Sequence, residues 1–251
     1  MPQVSEGDVP AGLPRFLESC YACYNTPEFL HSDPLEIVHE YGDPAEREVA
    51  ALITACLAYG RVASIKDSVR AMLERLAGRP ERFLRGAGEG EIAAACQGFR
   101  HRFTSAEDMT ALLCGTARVL EQRGSLESCL CVHLCPGERT LTGALRGFVE
   151  ELSGSQEGIP HLFPNPARGS ACKRLWLFLR WMVRRDAVDP GGWKRVSPAG
   201  LVVPLDVHMG RICRALGLTE RSQADLRAAH EATDAFRQIC PHDPVRYDFA
   251  L

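Results

Sequence analysis

Lys173 carries the chemistry of an amine nucleophile, and its neighbours predict where it lies. In the segment 166–183 (PARGSACKRLWLFLRWMV), Gly169 permits a turn, Ser170 is a common helix cap, and apolar spacing predicts a helix over 171–183. Lys173 then lies in the first turn, where unpaired N–H groups and the helix dipole favour the neutral amine over the ammonium. A neutral amine attacks a sugar or carbonyl carbon to form a Schiff base. The alternative is an ordinary solvated lysine.

Asp206 directly precedes a second predicted helix and can act as its N-cap. In the segment 201–218 (LVVPLDVHMGRICRALGL), Pro204 ends an apolar run, and a helical pattern follows that Gly217 closes. A capping carboxylate accepts N–H bonds from the first turn, which keeps it ionised. Beside a pocket of low dielectric, such a group can stabilise an oxocarbenium-like sugar as a base departs. A cap without catalytic duty is the alternative.

The elements that must position these two groups are helical along the whole sequence. Apolar residues recur every three or four positions over 45–78 and again over 139–154, which Gly154 ends. Ser105 followed by Asp108 predicts a capping box at the start of another helix. No alternating β-branched run bounded by hairpin turns is present, so little or no sheet is expected. The predicted fold class is all-α.

Three segments lack helical periodicity and are expected to be connections. They are 86–91, a turn or flexible link, and two longer stretches rich in Gly and Pro, 154–170 and 184–200. Loops of that length within a compact domain are often functional.

The composition is that of an ordinary globular protein. The chain has 251 residues, of which 45% are hydrophobic and 24% charged. No apolar stretch reaches the roughly 20 residues that span a membrane, and the opening residues do not have the pattern of a secretory signal. A cytoplasmic protein is therefore expected.

The charge of the chain is unevenly distributed. Although the net charge is −3, the stretch 168–214 holds ten Lys or Arg against three Asp. That stretch carries +7, and the remainder carries −10. A local basic face is what phosphate binding needs, because the field is screened within about 10 Å. A solvated helix surface would give the same count.

The eleven cysteines favour reduced thiols rather than a disulfide framework. Most stand singly in apolar helical patterns, where a thiol behaves as a small hydrophobic group. The one cluster is Cys129, Cys131 and Cys135 with His133 between them, and its spacing is not that of a zinc finger. It is interpreted as chance clustering, and no metal is expected.

The Lys173 and Asp206 segments together resemble the helix-hairpin-helix DNA glycosylase superfamily. VVPLDVHMGRICRALGL is similar to the family's catalytic aspartate element, and ARGSACKRL to its hairpin–lysine element, with Ala171 where a second glycine is usual. The 33-residue separation resembles the archaeal 8-oxoguanine glycosylases more than endonuclease III, whose iron–sulfur cysteine quartet the sequence lacks. From PEFLHSD at 27 to DPVRYDFAL at 243–251, the chain also resembles a bacterial family of unassigned function.

The resemblance implies a fold and an activity. The fold is all-α, with two helical subdomains and a cleft between them. The activity is removal of an oxidised purine, 8-oxoguanine first, followed by nicking at the abasic site. Lys173 would form the Schiff base with the sugar, and Asp206 would stabilise the developing positive charge. The implied DNA-contacting residues are Arg168, Gly169, Ser170, Arg174 and His208.

A base inside a duplex must be flipped into a pocket before it can be excised. Stacking rings and polar groups that read the purine edge are expected there, and the predicted residues are Trp181, Asp186, Asp189 and Trp193. Helical spacing makes Trp176 and Phe178 more typical of core. The segment 98–103 (GFRHRF) interleaves basic and aromatic residues, which suits a DNA backbone contact or a wedge as well as a plain connecting surface.

Two rival functions remain open at this point. One is a non-catalytic helix-hairpin-helix protein that binds DNA, and the other is an enzyme of unrelated substrate on a helical bundle. The expected organisation is a single module over 1–251. Residues 45–183 would form a helical barrel ending in the hairpin and lysine helix, and 1–44 with 200–251 a second subdomain. A monomer that binds damaged double-stranded DNA is expected, without a cofactor, in a chain that continues past Leu251.

Overall fold

The computed structural model describes Pro10, residues 12–154 and residues 161–251. Within these ranges the protein is all-helical, as predicted, and its one piece of β structure is an isolated bridge between His101 and Thr104. The α-helices described are α1 (Leu13–Tyr24), α2 (Leu35–His39), α3 (Pro44–Leu57), α4 (Val62–Arg75), α5 (Pro80–Gly86), α6 (Glu89–Cys96), α7 (Ala106–Arg123), α8 (Leu126–Cys131), α9 (Thr142–Ser153), α10 (Lys173–Val183), α11 (Val207–Ala215) and α12 (Leu226–Ile239). Short 3-10 turns lie at Pro27–Ser32, Pro166–Arg168, Pro198–Gly200 and Asp248–Ala250.

Helix α3 forms the centre of the core. Every residue from Glu48 to Leu57 is buried, and α2, α5 and α10 pack around it. The buried Glu48 carboxylate accepts the indole N–H of Trp193 at 2.9 Å and the Leu126 amide at 2.9 Å. It thereby joins α3 to the start of α8 and to the loop 184–200.

Three of the local capping signals in the sequence were confirmed. Ser105 and Asp108 form the predicted capping box at the start of α7, and Gly154 follows the last residue of α9. Asp206 is the N-cap of α11. These features depend on residues only a few positions apart, so the sequence alone can specify them.

The predicted helical stretch 45–78 is two helices, because residues 58–61 break it. Gly60 has φ +106°, a left-handed conformation that helical backbone does not adopt. Tyr59 and Gly60 are therefore turned out of the helix and lie on the wall of the cavity described below.

The start of the lysine helix differs from the prediction by two residues. Helix α10 begins at Lys173, and its N-cap is Cys172, whose φ of +49° is unusual for a residue with a side chain. Ser170 Oγ instead accepts a hydrogen bond from the Cys172 amide at 3.2 Å. Ser170 therefore stabilises the turn before the helix and does not cap it.

The connections also differ in part from the prediction. Residues 86–91 are not a free link, because α6 begins at Glu89 and the Glu91 carboxylate accepts a hydrogen bond from the Gly88 amide at 2.9 Å. Residues 184–200 contain no α-helix, as expected. Of the predicted loop 154–170, residues 155–160 lie outside the described residues, as do 1–9 and 11 at the start of the chain.

The division into a barrel (45–183) and a second subdomain (1–44 with 200–251) stays a prediction. Helix α1 does contact the turn Asp248–Ala250, so the two ends of the described chain meet. All eleven cysteines are unpaired, in agreement with the expectation of reduced thiols. Among the described helices none is both long and apolar enough to cross a membrane.

Candidate functional site

Lys173 and Asp206, which are 33 residues apart in sequence, face each other in the structure. The Lys173 Nζ lies 3.0 Å from Asp206 Oδ2, and both side chains are about one-third exposed. Each residue stands at the N-terminal end of a helix, Lys173 as the first residue of α10 and Asp206 as the cap of α11. The two helix starts therefore bring an amine and a carboxylate together at the surface of the protein.

The Asp206 carboxylate is held in its charged form. Its Oδ1 accepts the amides of His208 and Met209, each at 2.9 Å. Partial burial alone would raise the pKa of Asp206, but the Met209 amide, the Lys173 ammonium and the His208 amide outweigh it and lower the pKa below its usual range. The Asp206 oxygen that accepts no backbone amide, Oδ2, is the one that contacts Lys173.

The pair lies on the wall of an open cavity of about 1040 Å³. The cavity is bordered by the end of α1, the break between α3 and α4, the starts of α10 and α11, and the last residues of the chain. This volume is at the upper end of pockets that take small ligands. A ligand in the cavity would meet the Lys173 amine and the Asp206 carboxylate at once.

Three further residues of the wall carry hydrogen-bonding groups in buried positions. The Asp248 carboxylate is paired with the Arg180 guanidinium. Burial raises the pKa of the Asp248 carboxyl, while the charges of Arg180 and Lys173 oppose that rise. Arg180 Nη2 and Trp181 Nε1 have no hydrogen-bond partner within the described part of the chain. Both atoms are almost inaccessible to solvent, so they lie inside the wall and are not presented to a ligand in this conformation.

The predicted DNA-contacting residues separate into two groups. Ser170 and His208 line the cavity beside the Lys173–Asp206 pair. Arg168 and Gly169 form the preceding turn, where Gly169 has φ +78° and its carbonyl accepts the Leu226 amide at 3.1 Å.

Arg174 also lines the cavity, but its guanidinium is committed to internal contacts. It donates to the carbonyl oxygens of Cys56, at 2.7 Å, and His161. Its Cζ lies 5.1 Å from the centre of the Tyr59 ring. These contacts leave it anchoring the start of α10 rather than extended toward a phosphate.

Of the four predicted pocket residues, the structure places only Trp181 on the cavity. Trp193 lies in the core, edge-on to the Phe178 ring with centroids 5.3 Å apart. Asp189 is fully buried between Arg180 and Arg184, and Asp186 pairs with Arg184 and accepts the Tyr21 hydroxyl at 3.0 Å. Asp186, Asp189 and Trp193 therefore do not form its wall, because internal partners hold all three.

The aromatic wall comes instead from residues that the sequence did not single out. Tyr24, Phe29, Tyr59 and Phe249 line the cavity, and the Tyr24 and Phe29 rings meet edge to face with centroids 5.4 Å apart. Tyr24 is 48% exposed and Phe29 37%, which is high for apolar rings. Tyr24 and Phe29 lie more than 140 residues before Lys173 in the sequence, so no local pattern links these two rings to the lysine.

The segment 98–103 ends in a tight turn at the edge of this wall. Phe103 is 76% exposed, and its ring is nearly parallel to that of Tyr59, with 6.3 Å between centroids and 6° between planes. The Arg102 guanidinium lies over the same Phe103 ring, with its Cζ 5.5 Å from the ring centroid. A basic and an aromatic side chain are thus presented to solvent together.

Fold and site define a class: an all-helical protein with an amine–carboxylate pair at the wall of an open, aromatic-lined cavity. A family model described as "Protein of unknown function (DUF2400)" matches residues 33–251. The chain belongs to this family. No curated protein and no solved structure matches the chain.

Proposed function

We propose that the protein is a DNA base-excision glycosylase and abasic-site lyase of the helix-hairpin-helix type, acting on an oxidised purine, 8-oxoguanine first. The observation that carries the proposal is the 3.0 Å contact between Lys173 Nζ and Asp206 Oδ2 at the wall of a cavity large enough for a flipped base. An amine beside a carboxylate is the pair that excision through a Schiff base requires.

The proposed reaction uses the two groups in turn. As the bond between sugar and base breaks, the base takes the electron pair, and Asp206 stabilises the positive charge on the sugar. The ammonium proton of Lys173 passes through Asp206 to the departing base. The neutral amine then bonds to the anomeric carbon, and opening of the sugar ring gives the Schiff base. Loss of a proton from the adjacent sugar carbon expels the 3′ phosphate and nicks the strand.

The cavity wall has groups that complement an oxidised guanine. Such a base offers a carbonyl acceptor together with N–H donors along its edge. The Asp248 carboxylate on the wall suits those donors. The rings of Tyr24 and Phe249 supply faces on which a flipped base can stack.

Duplex DNA would be held around the mouth of the cavity. The turn Arg168–Ser170 offers the exposed Arg168 guanidinium and the Ser170 hydroxyl as donors to phosphate, and His208 lines the same cavity as Ser170. The exposed Phe103 ring would enter the stack where the flipped base has left, with Arg102 alongside.

Borohydride trapping on a duplex containing 8-oxoguanine tests the proposal directly. The wild type should form a covalent adduct, Lys173→Gln should form none, and both should bind the duplex. Lys194→Gln is the matched control, because Lys194 is exposed, lies in the same basic stretch and is absent from the cavity wall. An adduct that persists in Lys173→Gln would refute the assignment.

A DNA-binding protein without catalysis is the second candidate. The observation in its favour is the ion pair itself, in which Asp206 already engages the Lys173 amine that would have to act as the nucleophile. Salt-dependent duplex binding, with no covalent adduct from a panel of oxidised purines, would support the DNA-binding function without catalysis.

A further inference from the structure

A second group of reactive side chains lies away from the cavity. Cys129 in α8, His133 just after that helix and Glu151 in α9 bring their sulfur, nitrogen and oxygen atoms within 4.8 Å of one another. The Cys129 Sγ is 3.5 Å from Glu151 Oε2, and the His133 Nε2 is 2.7 Å from Glu151 Oε1. None of the three lines the cavity that holds Lys173.

These spacings are close to those of a tetrahedral zinc site. Bonds of about 2.3 Å to sulfur and about 2.0–2.1 Å to nitrogen or oxygen put sulfur and oxygen ligands roughly 3.5 Å apart, and nitrogen and oxygen roughly 3.3 Å apart. The distance from the sulfur to Oε2 already agrees, whereas the histidine nitrogen contacts the other oxygen, Oε1. The histidine and glutamate would need to separate by about half an ångström.

The His133 ring packs against Gly147 of α9. A Cβ at position 147 would lie 2.3 Å from His133 Nδ1, so only glycine lets the ring rest on α9. That packing directs Nε2 toward Glu151. Cys129 is fully buried, whereas the His133 and Glu151 side chains are 29% and 17% exposed, which gives an ion a path from solvent.

Arg123 is compatible with an ion at this place. Its guanidinium donates to both Glu151 oxygens, at 2.8 and 2.9 Å. A carboxylate has about four lone-pair positions, so two remain after this bidentate contact. Carboxylates that ligate metals are commonly hydrogen-bonded by an outer residue, and Arg123 has that geometry.

We propose that Cys129, His133 and Glu151 bind one Zn²⁺ ion, with the fourth position taken by water. On binding, the Cys129 thiol loses its proton to solvent, and the sulfur, Nε2 and a Glu151 oxygen form bonds to the ion. The ion ties the end of α8 to α9. The proposal differs from the interpretation of the cysteine cluster as chance: two of its members, with Glu151, would form a site whose spacing matches no finger motif.

Metal titration of the full chain tests this site independently of any DNA chemistry. After removal of metal by a chelator, the protein should take up one equivalent of Zn²⁺, and Co²⁺ should give a thiolate charge-transfer band. At hundredfold excess over Kd, zinc should raise Tm by roughly 5 °C or more. Cys129→Ser and His133→Gln should each lose the equivalent and the Tm shift.

Cys131→Ser is the matched control, because Cys131 shares α8 with Cys129 and is outside the group. It should retain the full equivalent. Absence of zinc uptake in a folded wild type, or a Co²⁺ spectrum without the thiolate band, would overturn the proposal. Equal loss in Cys131→Ser would overturn it too, since the ion would then lie elsewhere.

Discussion

At the scale of single residues, Asp206 has two duties with one carboxylate. One oxygen accepts the first-turn amides of α11, and the other faces the Lys173 amine. The cap holds the group in place and charged, so that it is ready to stabilise a cation before any ligand arrives. One oxygen of Asp206 therefore fixes the side chain to α11, and the other is left for the proposed contact with the sugar cation.

Asp206→Asn should keep the cap and lose the charge. We expect trapping with 8-oxoguanine duplex to fall by roughly 100-fold or more, since a preorganised stabilising group is removed. Asp225→Asn is the control, because Asp225 caps α12 in the same way without a cavity or a lysine beside it. Equal activity in the two variants would contradict the role given to Asp206.

The same variant has an expected pH signature in stability. The folded pKa of Asp206 lies below its ordinary value of 3.8, so its charge contributes stability above that value. The contribution is lost as pH falls through the folded pKa. The difference in free energy of unfolding between wild type and Asp206→Asn should be constant near neutrality and shrink below about pH 4. Urea titrations at a series of pH values measure this difference in free energy of unfolding. A difference that grows as the pH falls would contradict the prediction.

At the scale of elements, hydrogen bonds fix the turn after α6 that carries the exposed Phe103 ring. The His101 ring hydrogen-bonds Ser68 Oγ at 2.9 Å, and the Tyr59 hydroxyl donates to the His101 carbonyl at 2.9 Å. Arg102 has φ +52°, a strained conformation for arginine, and its side chain fills the space beside Gly60. A rigid turn that exposes Phe103 suits insertion into a base stack.

Phe103→Ala should impair the reaction on duplex DNA without destabilising the protein. The ring is 76% exposed, so its loss costs little folding energy. We expect at least a tenfold loss of adduct from duplex, and little change with a single strand, where no gap needs filling. Phe16→Ala is the control, because Phe16 is 50% exposed on α1 and absent from the cavity wall. Loss on both substrates alike would argue against a wedge.

At the scale of the whole molecule, a buried ion network fastens the lysine helix to the rest of the protein. Arg180 in α10 and Arg184, the residue just after it, share Asp189. Arg180 also pairs with Asp248, and Arg184 with Asp243, near the end of the sequence. Both arginine side chains are 3% exposed, and Asp189 is fully buried. The network fixes α10, and with it the position of Lys173, against the segment that closes the cavity.

Asp189→Asn should therefore lower global stability. Two buried guanidinium groups would lose their shared counter-charge, and breaking a buried pair of this kind costs about 3–5 kcal/mol. Urea denaturation measures the loss as a lower midpoint with an unchanged slope. Asp67→Asn, at an exposed position outside the ion pairs, should change stability by less than about 0.5 kcal/mol. A small loss for Asp189→Asn would show that the two arginines find other partners.

The sequence by itself determined the helices, their caps and the positions of Lys173 and Asp206 at two helix starts. These features depend on periodicity and on residues within four positions of each other, which the chain carries locally. Even so, the positive φ of Cys172 moved the start of α10 and took the capping role from Ser170.

Only the tertiary structure decided what surrounds each side chain. Trp193 and Asp189 are of residue types that suit a base pocket. Glu48, 145 positions before Trp193, instead holds the indole in the core, and Arg180 and Arg184 hold Asp189 there. The cavity wall includes Tyr24 from α1 and Phe249 from the last turn. Likewise, the His133 ring can pack where it does only because position 147, in α9, is glycine. Burial and partnership are set by segments that meet in space, and a linear pattern does not record those meetings.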